Sequence, residues 1–227
     1  MNAEEIRERI DSAITKAGRK DKIFFAAVSK TRTVDEMKEA EKISWVDYFG
    51  ENRVQEAESK RNVYGESRIP WRLIGHLQAN KARKAAEIFD TIDSIDTPEL
   101  AQRLNRIAGE LGKIIPVLIE VNTSGEESKS GVDPANLSPL LDAVMTQNNL
   151  RLEGFMTVGP ITDDEREIRN AFATLRTLSE NARTRTGLEL PTLSMGMSGD
   201  FELAILEGST LIRIGTLLFG PRDYTNH

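Results

Sequence analysis

The chain has 227 residues, of which 39% are hydrophobic, and its formal net charge is −6. This length can bury one substantial core or two small ones, and the acidic balance argues against a general nucleic-acid binder. The sequence has no cysteine, which excludes disulfides, thiolate nucleophiles and cysteine-ligated metals and fits a reducing compartment.

The N-terminal residues and the histidine count bear on location and on metals. Residues 4–9 carry five charged side chains, too many for a secretory signal, and no apolar run approaches the ~18 residues of a membrane span. Since His76 and His227 are the only histidines, a histidine-rich metal site is not expected. The sequence predicts a cytoplasmic protein with no membrane partner and no bound metal.

Hydrophobic periodicity divides the chain into a leading helix and a repeated strand–helix pattern. Apolar residues at helical spacing from Ile6 to Ala17, ended by Gly18, predict an N-terminal helix over about 2–17. Another helix is predicted to open at Thr97 and Pro98, which suit a cap and a first helical position. The predicted strands cover 23–29, 47–52, 71–76, 91–96, 114–121, 150–157, 192–195 and 211–214. The other predicted helices cover 33–43, 53–64, 80–89, 134–147, 163–185 and 200–207.

Strand and helix alternate about eight times, with short connections and no obvious linker. Such alternation predicts right-handed βαβ units and a parallel sheet. Eight units in a chain slightly shorter than the usual ~250 residues favour a single-domain (β/α)8 TIM barrel over residues 1–227, with an extra N-terminal helix. The alternative is an open doubly wound sheet, which requires some of the weaker strands to be misassigned. No glycine-rich fingerprint follows the first strand, so a dinucleotide fold has little support.

The first predicted strand ends in a lysine. Six apolar residues, 23–28, lead into Ser29, Lys30 and Thr31. A lysine at the end of a buried strand can be held in a dry pocket, where desolvation lowers its pKa and leaves the amine nucleophilic, as a Schiff-base lysine requires. On position alone a solvated lysine is the commoner outcome, so both interpretations stand at this point.

Two loops have the composition of a phosphate site. Residues 194–200 join the seventh strand to a helix, and Gly215 and Thr216 follow the eighth strand. Glycine permits close backbone approach, hydroxyls add donors, and a helix N-terminus favours an anion. Barrels often bind phosphate at these two loops. The alternative for the first loop is an ordinary helix cap made by Ser198 or Asp200.

Strand alternation gives a direction to Arg213. In the eighth strand Ile212 and Ile214 share one face and Arg213 takes the other. If the isoleucines pack on the helix layer, the guanidinium points into the barrel. There it cannot lose its proton and needs an acceptor or an anion.

Six segments of the chain carry recognisable motifs, namely 27–31, 49–56, 71–81, 120–122, 194–200 and 213–216. Together they resemble the pyridoxal 5′-phosphate (PLP) homeostasis protein family. The resemblance runs in order from about residue 23 to Arg222, so it covers nearly the whole chain. The family is similar to the barrel domain of alanine racemase without that enzyme's second domain.

The resemblance implies roles for individual residues. Lys30 would form the internal aldimine with the cofactor aldehyde, and Arg213 would face the pyridine nitrogen. Asn52 and His76 would lie near the ring, although a rim histidine without cofactor contact is an equal alternative for His76. The phosphate would be held by Met197, Ser198, Gly215 and Thr216.

The implied site favours a PLP carrier or regulator over an enzyme. A permanent cation at Arg213 disfavours protonation of the ring nitrogen and makes the ring a poorer electron sink. A racemase also needs a second acid/base, and the tyrosines Tyr48, Tyr64 and Tyr224 do not fall in a C-terminal domain. We therefore expect a protein that maintains PLP homeostasis without robust turnover, with PLP-dependent apo-enzymes as partners. Because a barrel without the extra domain lacks the usual dimer surface of the racemase, we expect a monomer. A small PLP-dependent racemase or lyase and a Schiff-base aldolase on a sugar phosphate stay open.

Overall fold

The structure, a computed structural model, describes residues 3–126 and 128–221. Eight parallel strands close into a barrel in which each strand pairs with the next in sequence and the last pairs with the first. The predicted barrel is therefore confirmed, and the open doubly wound sheet is wrong. The strands are β1 (Phe24–Val28), β2 (Tyr48–Glu51), β3 (Trp71–Leu73), β4 (Thr91–Ile95), β5 (Ile115–Glu120), β6 (Leu150–Met156), β7 (Thr192–Ser194) and β8 (Leu211–Ile214).

Helices surround the barrel and one precedes it. In the described part of the chain they are α1 (Ala3–Lys16), α2 (Val34–Glu41), α3 (Val54–Tyr64), α4 (Ala82–Ile88), α5 (Pro98–Glu110), α6 (Leu137–Met145), α7 (Glu165–Thr186), α8 (Phe201–Leu206) and α9 (Thr216–Phe219). Short 3-10 turns, Ala79–Lys81 and Pro134–Asn136, lead into α4 and α6. All of these helices except α9 were predicted from the sequence.

Local sequence signals explain where the helices begin. Thr33 caps α2 and exchanges hydrogen bonds with Glu36 in a capping box. The Oγ1 atom of Thr97 accepts the N–H of Leu100 at 3.3 Å, with Pro98 in the first turn of α5, so the predicted cap is confirmed.

The apolar core lies between the barrel and the helix layer. Alternate strand residues such as Phe25, Phe49 and Trp71 are fully buried there, and Tyr64 of α3 packs edge-on against the last two with ring centroids 5.8 and 5.6 Å apart. Burial of this apolar surface stabilises the barrel from outside and leaves its interior to the other set of strand residues. No helix in the described residues is both long and apolar enough to cross a membrane.

Candidate functional site

A cavity of about 310 Å³ opens at the C-terminal ends of the strands. Parallel barrels place their binding residues at this face, because the loops after all eight strands meet there. The cavity includes seven of the eight residues that the sequence analysis singled out. It is lined by Val28, Lys30, Arg32, Asn52, Ile74, Val158, Met197, Ser198, Gly199, Arg213, Gly215 and Thr216.

One side of the cavity offers backbone donors. We call residues 196–199 and 215–216 the anion loops. Two hydroxyls lie in these loops, and one of them, Ser198 Oγ, accepts the N–H of Leu217 at 3.4 Å. Several N–H groups with two hydroxyls form the donor set that binds a phosphate group. Four backbone N–H groups of the loops donate to no acceptor within the described residues, namely those of Ser198, Gly199, Gly215 and Thr216.

The first anion loop is not an ordinary helix cap. Asp200 precedes α8, but its side chain makes no capping hydrogen bond to that helix. Instead Asp200 Oδ1 accepts the N–H of Met197 at 2.5 Å and ties the loop back on itself. Gly196 has φ +95°, and a Cβ there would lie 2.6 Å from the Cβ of Ala204. Asp200 therefore occupies the N-cap position of α8 without supplying a side-chain cap to that helix.

Arg213 lies inside the barrel beneath the anion loops. It is 3% exposed, and its guanidinium donates to Ser194 Oγ and to the carbonyl of Thr157, both at 2.7 Å. Ile212 and Ile214 pack in the core outside the barrel, as predicted from alternation. Burial lowers the pKa of Arg213, while nearby carboxylates oppose that shift.

Further buried charges occupy the barrel interior. Arg72 donates to both carboxylate oxygens of Asp93 at 2.9 Å, a bidentate pair that is almost fully buried. Glu120 is 5% exposed, and its Oε2 has no hydrogen-bond partner in the described part of the chain. Burial, with smaller contributions from Asp96 and Asp93, raises the pKa of Glu120 to about 7, although Arg213 opposes the shift.

Asn52 reaches the cavity because the backbone packs closely beside it. A Cβ on Gly75 would lie 2.4 Å from the carbonyl oxygen of Asn52, so only glycine allows the loops after β2 and β3 to approach this closely. The side-chain Oδ1 of Asn52 is buried and has no partner among the described residues. A bound molecule with a donor would satisfy this oxygen.

His76 lies outside the cavity that contains Lys30. β3 ends at Leu73, so His76 is three residues beyond the strand and turns toward Asp96. Its Nδ1 lies 3.1 Å from Asp96 Oδ2, and its side chain is 52% exposed in a groove beside α5. The geometry matches the rim-histidine alternative, and a cofactor contact for His76 stays a prediction.

Several charged residues near the site were not predicted from the sequence. Arg72, Asp93 and Glu120 are charges inside otherwise apolar strands, a signal that would have drawn attention to them. Arg32 was missed because it lies in a loop beyond the first strand, where charged residues are common. It lines the cavity, and its guanidinium donates to the backbone carbonyls of residues 220 and 221.

Comparison with known proteins identifies the family. Residues 1–223 match the family model of the alanine racemase N-terminal domain. The chain is 42% identical over 230 residues to the pyridoxal phosphate homeostasis protein of Vibrio alginolyticus, covering 99% of this chain and 98% of the relative. The chain belongs to the pyridoxal phosphate homeostasis protein family. The family predicted from the motifs is confirmed.

Solved structures agree with this membership of the homeostasis family. PipY of Synechococcus elongatus, solved with PLP bound, is similar with a TM-score of 0.82 and 39% identity, covering 94% of this chain and 99% of PipY. An alanine racemase of Clostridium difficile has a TM-score of 0.74 at 18% identity, covering 100% of this chain and 62% of the racemase. This likeness to the racemase shows the shared barrel fold alone.

Proposed function

We propose that this protein binds pyridoxal 5′-phosphate, with Lys30 attached to it as a Schiff base, and takes part in intracellular PLP homeostasis. One observation carries the proposal: a single cavity is lined both by Lys30 and by the anion loops, four of whose N–H groups donate to no acceptor in the part of the chain that the structure describes. A lysine and a phosphate-binding site in one cavity are the two attachment points that this cofactor needs. The names of the relatives and the PLP-bound PipY structure support it.

The residues present fit the cofactor. The anion loops would hold the phosphate through the N–H groups of Ser198, Gly199, Gly215 and Thr216 and through the two hydroxyls. Met197 also lines the cavity, but its own N–H donates to Asp200. Asn52 offers a buried acceptor without a partner among the described residues, which suits a polar group of the ring. When bound, the cofactor supplies an aldehyde that condenses with a primary amine to form a C=N bond and release one water. Lys30 is the amine that the cavity provides.

Arg213 supports a binding role over catalysis on amino acids. It is held by Ser194 and Thr157 inside the barrel, and it would stand as a fixed cation toward the ring nitrogen. A cation there keeps a proton off that nitrogen, which weakens carbanion chemistry. Neither Tyr48 nor Tyr64 is among the residues that line the cavity, which argues against either as the second acid/base of a racemase.

The further parts of the proposal concern partners, assembly and location. A carrier of this kind would deliver PLP to apo-enzymes, as the homeostasis names of the relatives suggest. The larger exposed apolar side chains, such as Val63, Met145 and Ile161, lie on separate elements, which supports a monomer. The absence of cysteine supports a cytoplasmic location.

An absorption spectrum tests the proposal. The purified protein mixed with PLP is expected to show Schiff-base absorbance, and Lys30→Ala is expected to lose it from this site. The matched control is Lys16→Ala, a surface lysine in the last turn of α1. A wild-type protein that stays colourless with added PLP would contradict the proposal. Turnover of an amino acid at enzymatic rates would favour the racemase or lyase instead.

A further inference from the structure

A charged cluster, buried except for one partly exposed glutamate, lies beside Lys30, next to β2 and α3, whereas the anion loops follow β7 and β8. It consists of Glu51 at the end of β2 with Glu56 and Lys60 of α3, and we call it the clamp. Lys60 Nζ donates to Glu51 Oε1 and to Glu56 Oε1, both at 2.7 Å. Glu51 is 0% exposed, and Lys60 is nearly as buried.

The clamp holds the two peptide groups that flank Lys30. Lys60 Nζ also donates to the carbonyl oxygen of Ser29 at 2.7 Å, on the N-terminal side of Lys30. Glu56 Oε1 accepts the N–H of Thr31 at 2.5 Å, on the C-terminal side. Because both peptide planes are anchored, the direction of the Cα–Cβ bond of Lys30 is set by the clamp.

The side chain of Ser29 adds a third anchor. Its Oγ donates to Glu51 Oε1 at 2.7 Å, and its N–H donates to the carbonyl of Gly50 at 3.0 Å. The end of β1 is therefore tied to the end of β2 by side chain and backbone together. Small movements of Lys30 relative to the barrel are opposed by the clamp.

Backbone strain next to Lys30 shows that the clamp does more than fill space. Thr31 has φ +62°, a left-handed conformation that a β-branched residue rarely adopts. Such a conformation persists only where the surroundings over-determine it, and strain of this kind concentrates at functional sites. The bond to Glu56 is the contact that holds the Thr31 N–H in this geometry.

A purely structural role explains the clamp poorly. Burial raises the pKa of Glu51 despite Lys60 beside it, and Glu51 Oε2 has no partner in the part of the chain that the structure describes. Buried ion pairs are often no more stable than packed apolar residues of the same volume. A cluster that orients a reactive side chain needs directional hydrogen bonds, and charged groups form such bonds.

We propose that Glu56 and Lys60 are positioning residues for Lys30, aiming its amine into the cavity through the two flanking peptide groups. The inference rests on the proposed function, since it concerns the geometry in which Lys30 meets PLP. It is separable from that function because the anion loops lie on other strands and hold the phosphate without the clamp.

The test compares covalent with non-covalent binding. Protein freed of bound aldehyde with hydroxylamine and then dialysed is mixed with PLP, and the rate of Schiff-base formation is followed by absorbance. In parallel, pyridoxine 5′-phosphate, which has no aldehyde, is titrated into the protein to measure its affinity. Glu56→Ala is expected to slow Schiff-base formation by at least about tenfold, since a misplacement of about 1 Å can lower a rate by that much or more. Its affinity for pyridoxine 5′-phosphate is expected to stay within about twofold of wild type.

Two further variants separate positioning from stability. Glu58→Ala is the matched control, because Glu58 lies on the same helix but pairs with Lys84 at the surface, and it should behave as wild type. Glu56→Gln keeps a carbonyl oxygen for the Thr31 N–H and should recover part of the rate. If Glu56→Ala fails to fold, Glu56→Gln and Lys60→Gln carry the test by the same two measurements.

Three results would overturn the inference. One is an unchanged Schiff-base rate in Glu56→Ala, or in both substitute variants. Another is a parallel loss of covalent binding, pyridoxine 5′-phosphate binding and thermal midpoint, which would indicate a structural role alone. A wild-type protein that binds pyridoxine 5′-phosphate but forms no Schiff base, or that binds neither compound, would remove the proposed function together with the inference.

Discussion

Two regions around the cavity differ in the chemical groups that form them. The anion loops present backbone N–H groups and two hydroxyls, with glycines where the chain must come close. The β1–β2 side, which adjoins β8, and the barrel interior rely on mostly buried charged side chains, with the clamp beside Lys30 and with Arg213, Asp93 and Glu120 inside. Backbone donors survive most side-chain substitutions, whereas a buried charge depends on each of its partners.

This difference implies two kinds of sensitivity. Substitutions in the anion loops should weaken ligand binding modestly and leave the fold intact. Substitutions among the buried charges should change stability, its pH dependence or the reactivity of Lys30. Variants in the anion loops and among the buried charges therefore test whether the two regions differ in sensitivity.

The largest effect on stability is expected for Arg213→Ala. Removing the guanidinium leaves Ser194 Oγ and the Thr157 carbonyl without this donor, and it takes one of the two buried cations away from Asp93 and Glu120, so that Arg72 alone opposes their repulsion. Loss of one partner from a buried charge cluster typically costs about 3 to 5 kcal/mol of unfolding free energy. Urea denaturation measures this change in unfolding free energy.

The control for Arg213→Ala is Arg166→Ala, because Arg166 faces Asp164 at the surface and its side chain is 90% exposed. This control should change the unfolding free energy by less than about 0.5 kcal/mol. Equal effects for the two variants would show that the buried charges are not the sensitive part of the molecule.

A pH-dependent effect is expected for Glu120→Gln. The pKa of Glu120 is raised in the folded state to about 7, so the folded protein keeps a proton that the unfolded chain releases from about pH 4.5 upward. Stability from this group is therefore lost as the pH rises through that window. The unfolding free energy of the variant should exceed that of wild type by roughly 3 kcal/mol at pH 8, at 1.36 kcal/mol per pKa unit, and by little at pH 4.

Unfolding free energies at pH 4 and pH 8 check this prediction. Glu58→Gln, on the surface side of α3, serves as the control. A Glu120→Gln variant whose advantage is the same at both pH values would contradict the assigned pKa shift and its cause.

The smallest effect is expected in the anion loops. Thr216→Val removes one hydroxyl but keeps the shape of the side chain and every backbone N–H group. Loss of one such hydrogen bond is worth about 1 kcal/mol, or roughly fivefold in affinity for pyridoxine 5′-phosphate. Calorimetric titration measures the affinity, and the unfolding free energy of the variant should equal that of wild type.

The control for Thr216→Val is Thr174→Val. Thr174 is an exposed residue of α7, outside the cavity, and its hydroxyl donates to the carbonyl of Asn170. This control should leave the affinity for pyridoxine 5′-phosphate unchanged. A fall in the affinity of Thr216→Val by more than about a hundredfold, near 2.7 kcal/mol, would show that hydroxyls and not N–H groups carry the phosphate side.

Much of the fold could be predicted from the sequence, because barrel strands are apolar runs and their helices carry caps. The N-terminal helix, the eight strands and the cap at Thr97 follow from such local signals. The four-residue helix α9 was missed because it is too short to show helical periodicity.

The site was only partly predictable. Alternation placed Arg213 inside the barrel, and the family motifs pointed to Lys30 and the anion loops. The clamp could not be predicted, since it depends on tertiary contacts that join the ends of β1 and β2 to α3. For His76 the motifs left a position near the ring and a rim position open, and in the structure its Nδ1 lies 3.1 Å from Asp96 Oδ2, outside the cavity that contains Lys30.

Borohydride reduction of the wild-type protein mixed with PLP is the most direct test of whether Lys30 forms a Schiff base with the cofactor. Reduction converts a Schiff base into a stable secondary amine, and mass analysis of the digested protein then locates the adduct. We expect one stoichiometric adduct on the peptide that contains Lys30. An adduct found only on another lysine, such as Lys129, or the absence of any adduct, would contradict it.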